Sequence, residues 1–350
     1  MRKSFTEKNI QDRFTSIDYA KFIGIFLVVL GHQEISTNNI NIIYAFHMPL
    51  FFFLSGFLFS FDKYKSYKIF LVKRFKQLII PYFAFNIITY VFWLFVGRKF
   101  GANSQVNISL YKPIIGMFYG NGIDNYLIHC VPLWFLPCLF MVENIYFLAF
   151  RFLKHQIKYI MLAALVVLGF FDYKYQFIRL PWSFNIAIVA VTFYGFANIF
   201  REKVKHFLGI KMYLLGAISA ICIFLVIYVT QFNGRVDMNG RVYGNYSLFY
   251  IAAFAGIGFI ISISELMARY IGSNKFVGYI AQNTLIIFAL HFIIMSVIKG
   301  FVYFVLKIPL SSLENNIGGL SIAITTIIVI IPIIYVINRF FPFILGKSYR

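Results

Sequence analysis

One lysine and three histidines carry the chemistry legible in this chain. Lys21 and His32 lie in "SIDYAKFIGIFLVVLGH", His47 in "FHMPLFFFLSGFLF" and His291 in "YIAQNTLIIFALH". Each interrupts an apolar run, where an ionisable group is costly and marks a cavity or a protein interior. Neutral imidazole, with an ordinary pKa of about 6.5, is suited to taking a proton from a hydroxyl. Counted from the expected outer boundaries of their segments, all three rings lie roughly 6–9 Å deep at the helical rise. Shared depth permits one cluster. Lys21 and His32 are eleven residues apart, close to three helical turns, so they share a face with about 16 Å between them along the axis. Asp18 precedes Lys21 by three positions and can pair with it on that face. Glu34, two residues past His32, points elsewhere.

A second group is basic. "FDKYKSYKIFLVKRFKQLIIPY" holds six Lys and Arg, of which Lys73, Arg74 and Lys76 stand just before Pro81, where they could reach phosphates at a cavity mouth. Glu143 is a carboxylate well inside an apolar segment, placed either to pair with a basic residue or to orient a histidine. Asn283, Trp134, Arg235, Asp237 and Arg241 could contact a polar ligand, although an interfacial Trp and solvated loop charges are the plainer readings. Pro49 and the Ser55–Gly56 pair would loosen the segment carrying His47 and turn that ring toward a cavity beside His32.

The elements that must hold these residues are membrane helices. The 350 residues are 61% hydrophobic and 13% charged, against about 45–50% and about 25% in soluble domains. Ten spans are expected, near 17–35, 42–61, 78–97, 131–150, 159–172, 180–200, 212–230, 246–266, 277–297 and 320–338, giving an all-α polytopic protein. Twenty-two Lys and Arg fall on the side of the N-terminus and nine on the other, which puts both termini in the cytoplasm. A net charge of +20 would suit nucleic acid in a soluble protein. Here the basic residues fall between apolar segments, so no nucleic-acid partner is expected. The polar start of the chain does not read as a signal peptide, and the first span is expected to be retained. No linker or repeat divides residues 1–350, which read as one membrane domain. Cys130, Cys138 and Cys222 form no metal-ligand pattern, and no carboxylate or thiol is spaced to complete a site with the histidines, so no metal is expected.

The segments "SIDYAKFIGIFLVVLGH", "FHMPLFFFLSGFLF", "KRFKQLIIPY" and "LWFLPCLF" resemble, in order and spacing, the acyltransferase-3 family of membrane O-acyltransferases. "NGRVDMNGRVYGN" and "YIAQNTLIIFALH" resemble its fucose 4-O-acetylase-like branch. The resemblance implies an integral inner-membrane enzyme, bacterial in origin. It would move an acetyl group from acetyl-CoA to a hydroxyl of a cell-envelope polysaccharide or its lipid-linked precursor. Lys21 and His32 match the family's basic residue and histidine, and Lys73, Arg74 and Lys76 its basic residues at the third span. Lysines at 73 and 76, where arginines are common, keep charge but lose the bidentate fork. On this reading Lys21, Lys73, Arg74 and Lys76 bind the donor phosphates, and His32 is the general base or the acyl acceptor. His47 positions the acceptor or stabilises the oxyanion, while Asp18, His291 and Glu143 support. The relatives' appended extracytoplasmic domain is not expected here. A transporter or flippase for the same glycolipids is the competing class, against which stands the lack of repeat symmetry.

Overall fold

Arg74 and Pro81 show how the helices are shaped around the polar residues. Pro81 has no N–H to offer the preceding turn, and the helix that carries it, α3 (Tyr67–Gly97), widens into a π-helical stretch over Phe75–Ile79 just ahead of it. Such stretches cluster at functional sites. A second one, Trp93–Gly97, closes the same helix. The computed structural model describes residues 2–100 and 107–347, with side chains from Thr15 onward.

Among the described residues nine helices are long and apolar enough to cross a membrane. They are α3 together with α2 (Thr37–Leu58), α5 (Val131–Phe150), α6 (His155–Tyr175), α7 (Pro181–Ile199), α9 (Met212–Asn233), α10 (Tyr246–Ile271), α12 (Thr284–Phe304) and α13 (Asn316–Phe340). No strand occurs among the described residues beyond one isolated bridge, Asp237 to Val242. The protein is therefore an all-α polytopic membrane protein. The first expected span falls on α1 (Arg2–Gly31), which is not among the nine and ends short of the expected residue 35. Short helices α4 (Tyr111–Tyr119), α8 (Arg201–Leu208) and α11 (Lys275–Gln282) complete the set.

Two boundaries differ from expectation for local reasons. The third span begins at Tyr67 rather than near 78, because Ser66 caps the helix by accepting from the Ile69 N–H. Its Lys-rich first turns lower the hydropathy without breaking the helix. The ninth span is divided, since Asn283 ends α11 and α12 starts beyond it. Asn283 donates to the Tyr279 carbonyl at 2.7 Å and accepts from Asn338 on α13 at 2.7 Å, so the break is held from both sides. Of the basic residues that set the charge bias, those before Thr15 are described by backbone alone and Arg350 lies outside the described residues.

α1 is the hub, packing against α2, α10, α11, α12 and α13. α2 is wedged between α7 and α10, and small residues permit this. A Cβ on Gly56 would overlap the Tyr194 backbone carbonyl of α7, and one on Gly256 would overlap the Phe46 ring of α2. Asn198 fastens the approach by donating to the carbonyls of Gly56 at 2.9 Å and Phe59 at 2.8 Å. Gly56 is thus a helix-packing residue, and α2 runs unbroken through Pro49. We expect Gly56→Ala to cost about 1–3 kcal/mol of stability through overpacking against rigid backbone, read as a lowered melting temperature in detergent.

Candidate active site

Along α1, Lys21, Ile25, Val28 and His32 recur every three or four residues and line successive cavities. The first cavity, about 750 Å³, is bounded by Lys21, Thr284, Asn338, Arg339 and Lys347. Lys21 and Thr284 also bound the second, of about 270 Å³, with Ile25, Ser55, Arg74 and Glu143. Phe288 separates the second from the third, about 250 Å³, which holds Val28, His32, Tyr44, His47, Arg235 and Asp237. Trp134 belongs to the same third cavity. A cationic end and an imidazole end therefore share one line of cavities inside the bundle.

The histidines meet. The His32 ring lies 5.3 Å from His291 and 6.2 Å from Tyr44, which in turn lies 4.8 Å from His47. The expected common depth rests on boundaries that the helices do not keep: α2 starts earlier, at Thr37, α12 continues to Phe304, and α1 stops short at Gly31. His47 Nδ1 donates to the Ile43 carbonyl at 2.8 Å, which leaves Nε2 with the lone pair. His291 Nδ1 likewise donates to the Phe288 carbonyl at 2.8 Å, and its buried Nε2 has no partner. His32, half-buried just past the end of α1, has Nδ1 3.4 Å from Tyr44 Oη. With that nitrogen protonated, it donates to the tyrosine oxygen and Nε2 is free to act as a base.

Arg74 Nε lies 2.9 Å from Glu143 Oε2, and its Nη1 donates to Gln77 at 2.9 Å. Glu143 thus pairs with a basic residue, one of its two expected roles. Lys73 and Lys76 do not line these cavities. Both are exposed, Lys73 lying 5.4 Å over the Tyr64 ring. Asp18 and Lys21 stay within electrostatic reach of each other without a salt bridge between them, and half-buried Asp18 also lies beside Gly278 of α11. Glu34 points away from His32 and bridges to Lys299 at 3.4 Å. Among the described residues no three His, Cys, Asp or Glu are placed to hold a metal ion.

A hairpin over residues 234–245 closes the histidine cavity. Asp237 and Val242 exchange backbone hydrogen bonds of 2.7 and 2.9 Å, and Arg235 rests 4.4 Å from the Tyr44 ring centre. Side chains from distant segments fix it. Arg241 does not face the cavity, since it is buried and pairs with Asp172 of α6 at 3.0 Å. Arg179 donates to the carbonyls of Asn239 at 2.8 Å and Gly240 at 2.7 Å. Removing these two charge-assisted bonds with Arg179→Met should cost about 1.5–3 kcal/mol locally. Hydrogen–deuterium exchange across 235–245 should quicken accordingly while exchange in α1 and α2 stays slow. Tyr44, Arg179 and Asp172 were not singled out from the sequence. "NGRVDMNGRVYGN", with its Asn-Gly turn, was the available signal for the hairpin.

The family profile described as an acyltransferase domain matches residues 14–339, nearly the whole chain. The chain belongs to the acyltransferase-3 family. It is an acyltransferase of the membrane, needing an acyl donor, an acceptor and a bilayer, and this decides for an enzyme over a transporter. No curated protein and no solved structure matches it. The cavities line up an imidazole cluster at one end with cations at the other, residue types that acyl transfer can use.

Proposed function

We propose that this acyltransferase moves an acetyl group from acetyl-CoA to a sugar hydroxyl of an envelope polysaccharide or its lipid-linked precursor. The resemblance of its motifs to the fucose 4-O-acetylase-like branch favours a sugar acceptor. One membrane domain over residues 1–350 carries the reaction in a bacterial inner membrane, with both termini and the cationic cavity on the cytoplasmic side. The observation that carries this reading is the line of three cavities from Arg339, Lys347 and Lys21, past Arg74, to His32. The donor phosphates would meet Lys21 and Arg74, with exposed Lys73 and Lys76 adding charge at the approach.

His32 Nε2 takes the hydroxyl proton as the acceptor oxygen attacks the thioester carbonyl. The C–O bond forms, the C–S bond breaks, and the proton passes on to the leaving thiolate. His47 and Arg235 are placed around the same cavity to hold the acceptor or the developing oxyanion. In the variant of this path through an acyl-histidine, His32 itself bears the acetyl group between the two halves of the reaction.

Purified protein in nanodiscs, given [14C]acetyl-CoA and envelope glycan extracted from a strain deleted for the gene, should label the glycan and release free CoA thiol. Label trapped on the protein before glycan is added would select the acyl-histidine path. Neither labelled glycan nor thiol release, from protein that melts cooperatively, would overturn the acetyl-CoA reading.

A further inference from the structure

Beside the histidine cavity lies another, of about 410 Å³, with Val131 and Phe292 as shared walls. It opens between the last turns of α3, the segment 120–130 and α12, and the reaction as described above makes no use of it. Trp93 lines one side and His129 another, with Asp124 and Asn125 exposed along the rim.

Two of the residues that line this cavity each hold a buried ring nitrogen that is unsatisfied. His129 Nε2 lies 2.8 Å from Asn86 Oδ1, and the Asn86 amide nitrogen donates to the Tyr82 carbonyl. Nε2 therefore carries the proton and Nδ1 the lone pair. Burial holds the His129 pKa down to about 3, so the ring stays neutral at physiological pH. His129 Nδ1 has no hydrogen-bond partner, and neither has the Trp93 indole N–H, although the residues are only 7% and 2% exposed. Buried polar groups are rarely left unpaired without a reason. One acceptor lacking a donor and one donor lacking an acceptor are complementary to hydroxyl groups, each of which donates and accepts at once. The indole adds an apolar face, and Asp124 and Asn125 add acceptors at the rim. A lipid acyl chain would leave both nitrogens unsatisfied, whereas a polyhydroxylated ring would not.

We propose that this cavity is the acceptor subsite, binding a sugar ring whose reacting hydroxyl passes Val131 and Phe292 to reach His32. The assignment rests on the reading of the acceptor as a glycan and adds where that glycan sits. Trp93→Phe keeps an aromatic ring and strands no partner, since the indole N–H has none. Ser296→Trp fills the cavity from its exposed rim on α12.

With glycan from the deletion strain as acceptor, the glycan KM should rise about tenfold in Trp93→Phe, the worth of one or two hydrogen bonds. It should rise further in Ser296→Trp, without a matching rise in the KM for acetyl-CoA. In a donor-free arm, titrating that glycan should change the intrinsic fluorescence of the unaltered protein and change that of Trp93→Phe less, with Trp134 of the histidine cavity as a remaining reporter. An unaltered protein that binds glycan in this arm but transfers no acetyl group would sink the acetyl-CoA reading alone. Glycan KM values unchanged in both variants, or a fluorescence response absent from both proteins or equal in them, would overturn the subsite.

Discussion

Replacing His32 with alanine should lower acyl transfer by about 10²–10⁴-fold, the usual contribution of a positioned general base. The loss should appear in kcat rather than in the donor KM, because on the proposed reading the donor's charged end sits at Lys21 and Arg74, in the neighbouring cavity. Fold is not the cause of such a loss. His32 is half-buried beyond the last turn of α1, and the hydrogen-bond contact of its ring, to Tyr44, is long at 3.4 Å. Melting should therefore change little. Added imidazole should restore part of the rate by occupying the space the ring leaves, which a purely structural defect would not permit. His47→Ala should have the smaller effect, since His47 already commits Nδ1 to the Ile43 carbonyl. Full transfer activity in His32→Ala would remove this residue from the chemistry.

What the sequence disclosed about this site follows from distance along the chain. Lys21 lies on α1 and His32 just past its last turn, so a common face follows from 3.6 residues per turn, and the two line neighbouring cavities along that face. His47 and His291 could be placed in apolar segments but not brought together, because ring contact depends on how α2 and α12 lean against α1. Glu143 is conspicuous as a carboxylate at membrane depth, and Arg74 as one of the basic residues just before Pro81. Their pairing across 69 positions was one of two options for Glu143 until the packing chose it. Tyr44 and Asp172 are harder still. A tyrosine is ordinary in a chain with 24 of them, and Asp172 gains meaning only through Arg241, which reaches it from the hairpin. His129 stood in a loop whose neighbours gave no periodic signal. Its free nitrogen emerges only once Asn86 has taken the other. The spans were legible as existence and order, whereas the division at Asn283 came from a side-chain hydrogen bond to α13 that no hydropathy window records.

The Arg74–Glu143 pair separates folding from donor binding, and three variants read the two effects apart. Glu143 is 2% exposed and has its countercharge 2.9 Å away on α3. Arg74→Ala strands that carboxylate in the bundle and should destabilise the protein by about 3–5 kcal/mol. The cost is chiefly that of the unpaired charge rather than the worth of the bond. Replacing both partners by apolar side chains of similar volume, Arg74→Met with Glu143→Leu, should bring the melting temperature back toward that of the unaltered protein, since such exchanges are often neutral or stabilising. The recovered protein then reports on binding alone. If Arg74 meets a donor phosphate, the double variant should still show a raised KM for acetyl-CoA, and the shift should shrink for a donor truncated to the pantetheine arm, which has no phosphate for the guanidinium. Arg74→Lys keeps the charge but not the fork, so it should fall between the two in both stability and donor KM. A double variant that regains both its melting temperature and its donor KM would make the pair a packing device, and the phosphate contact at this cavity would fall to Lys21.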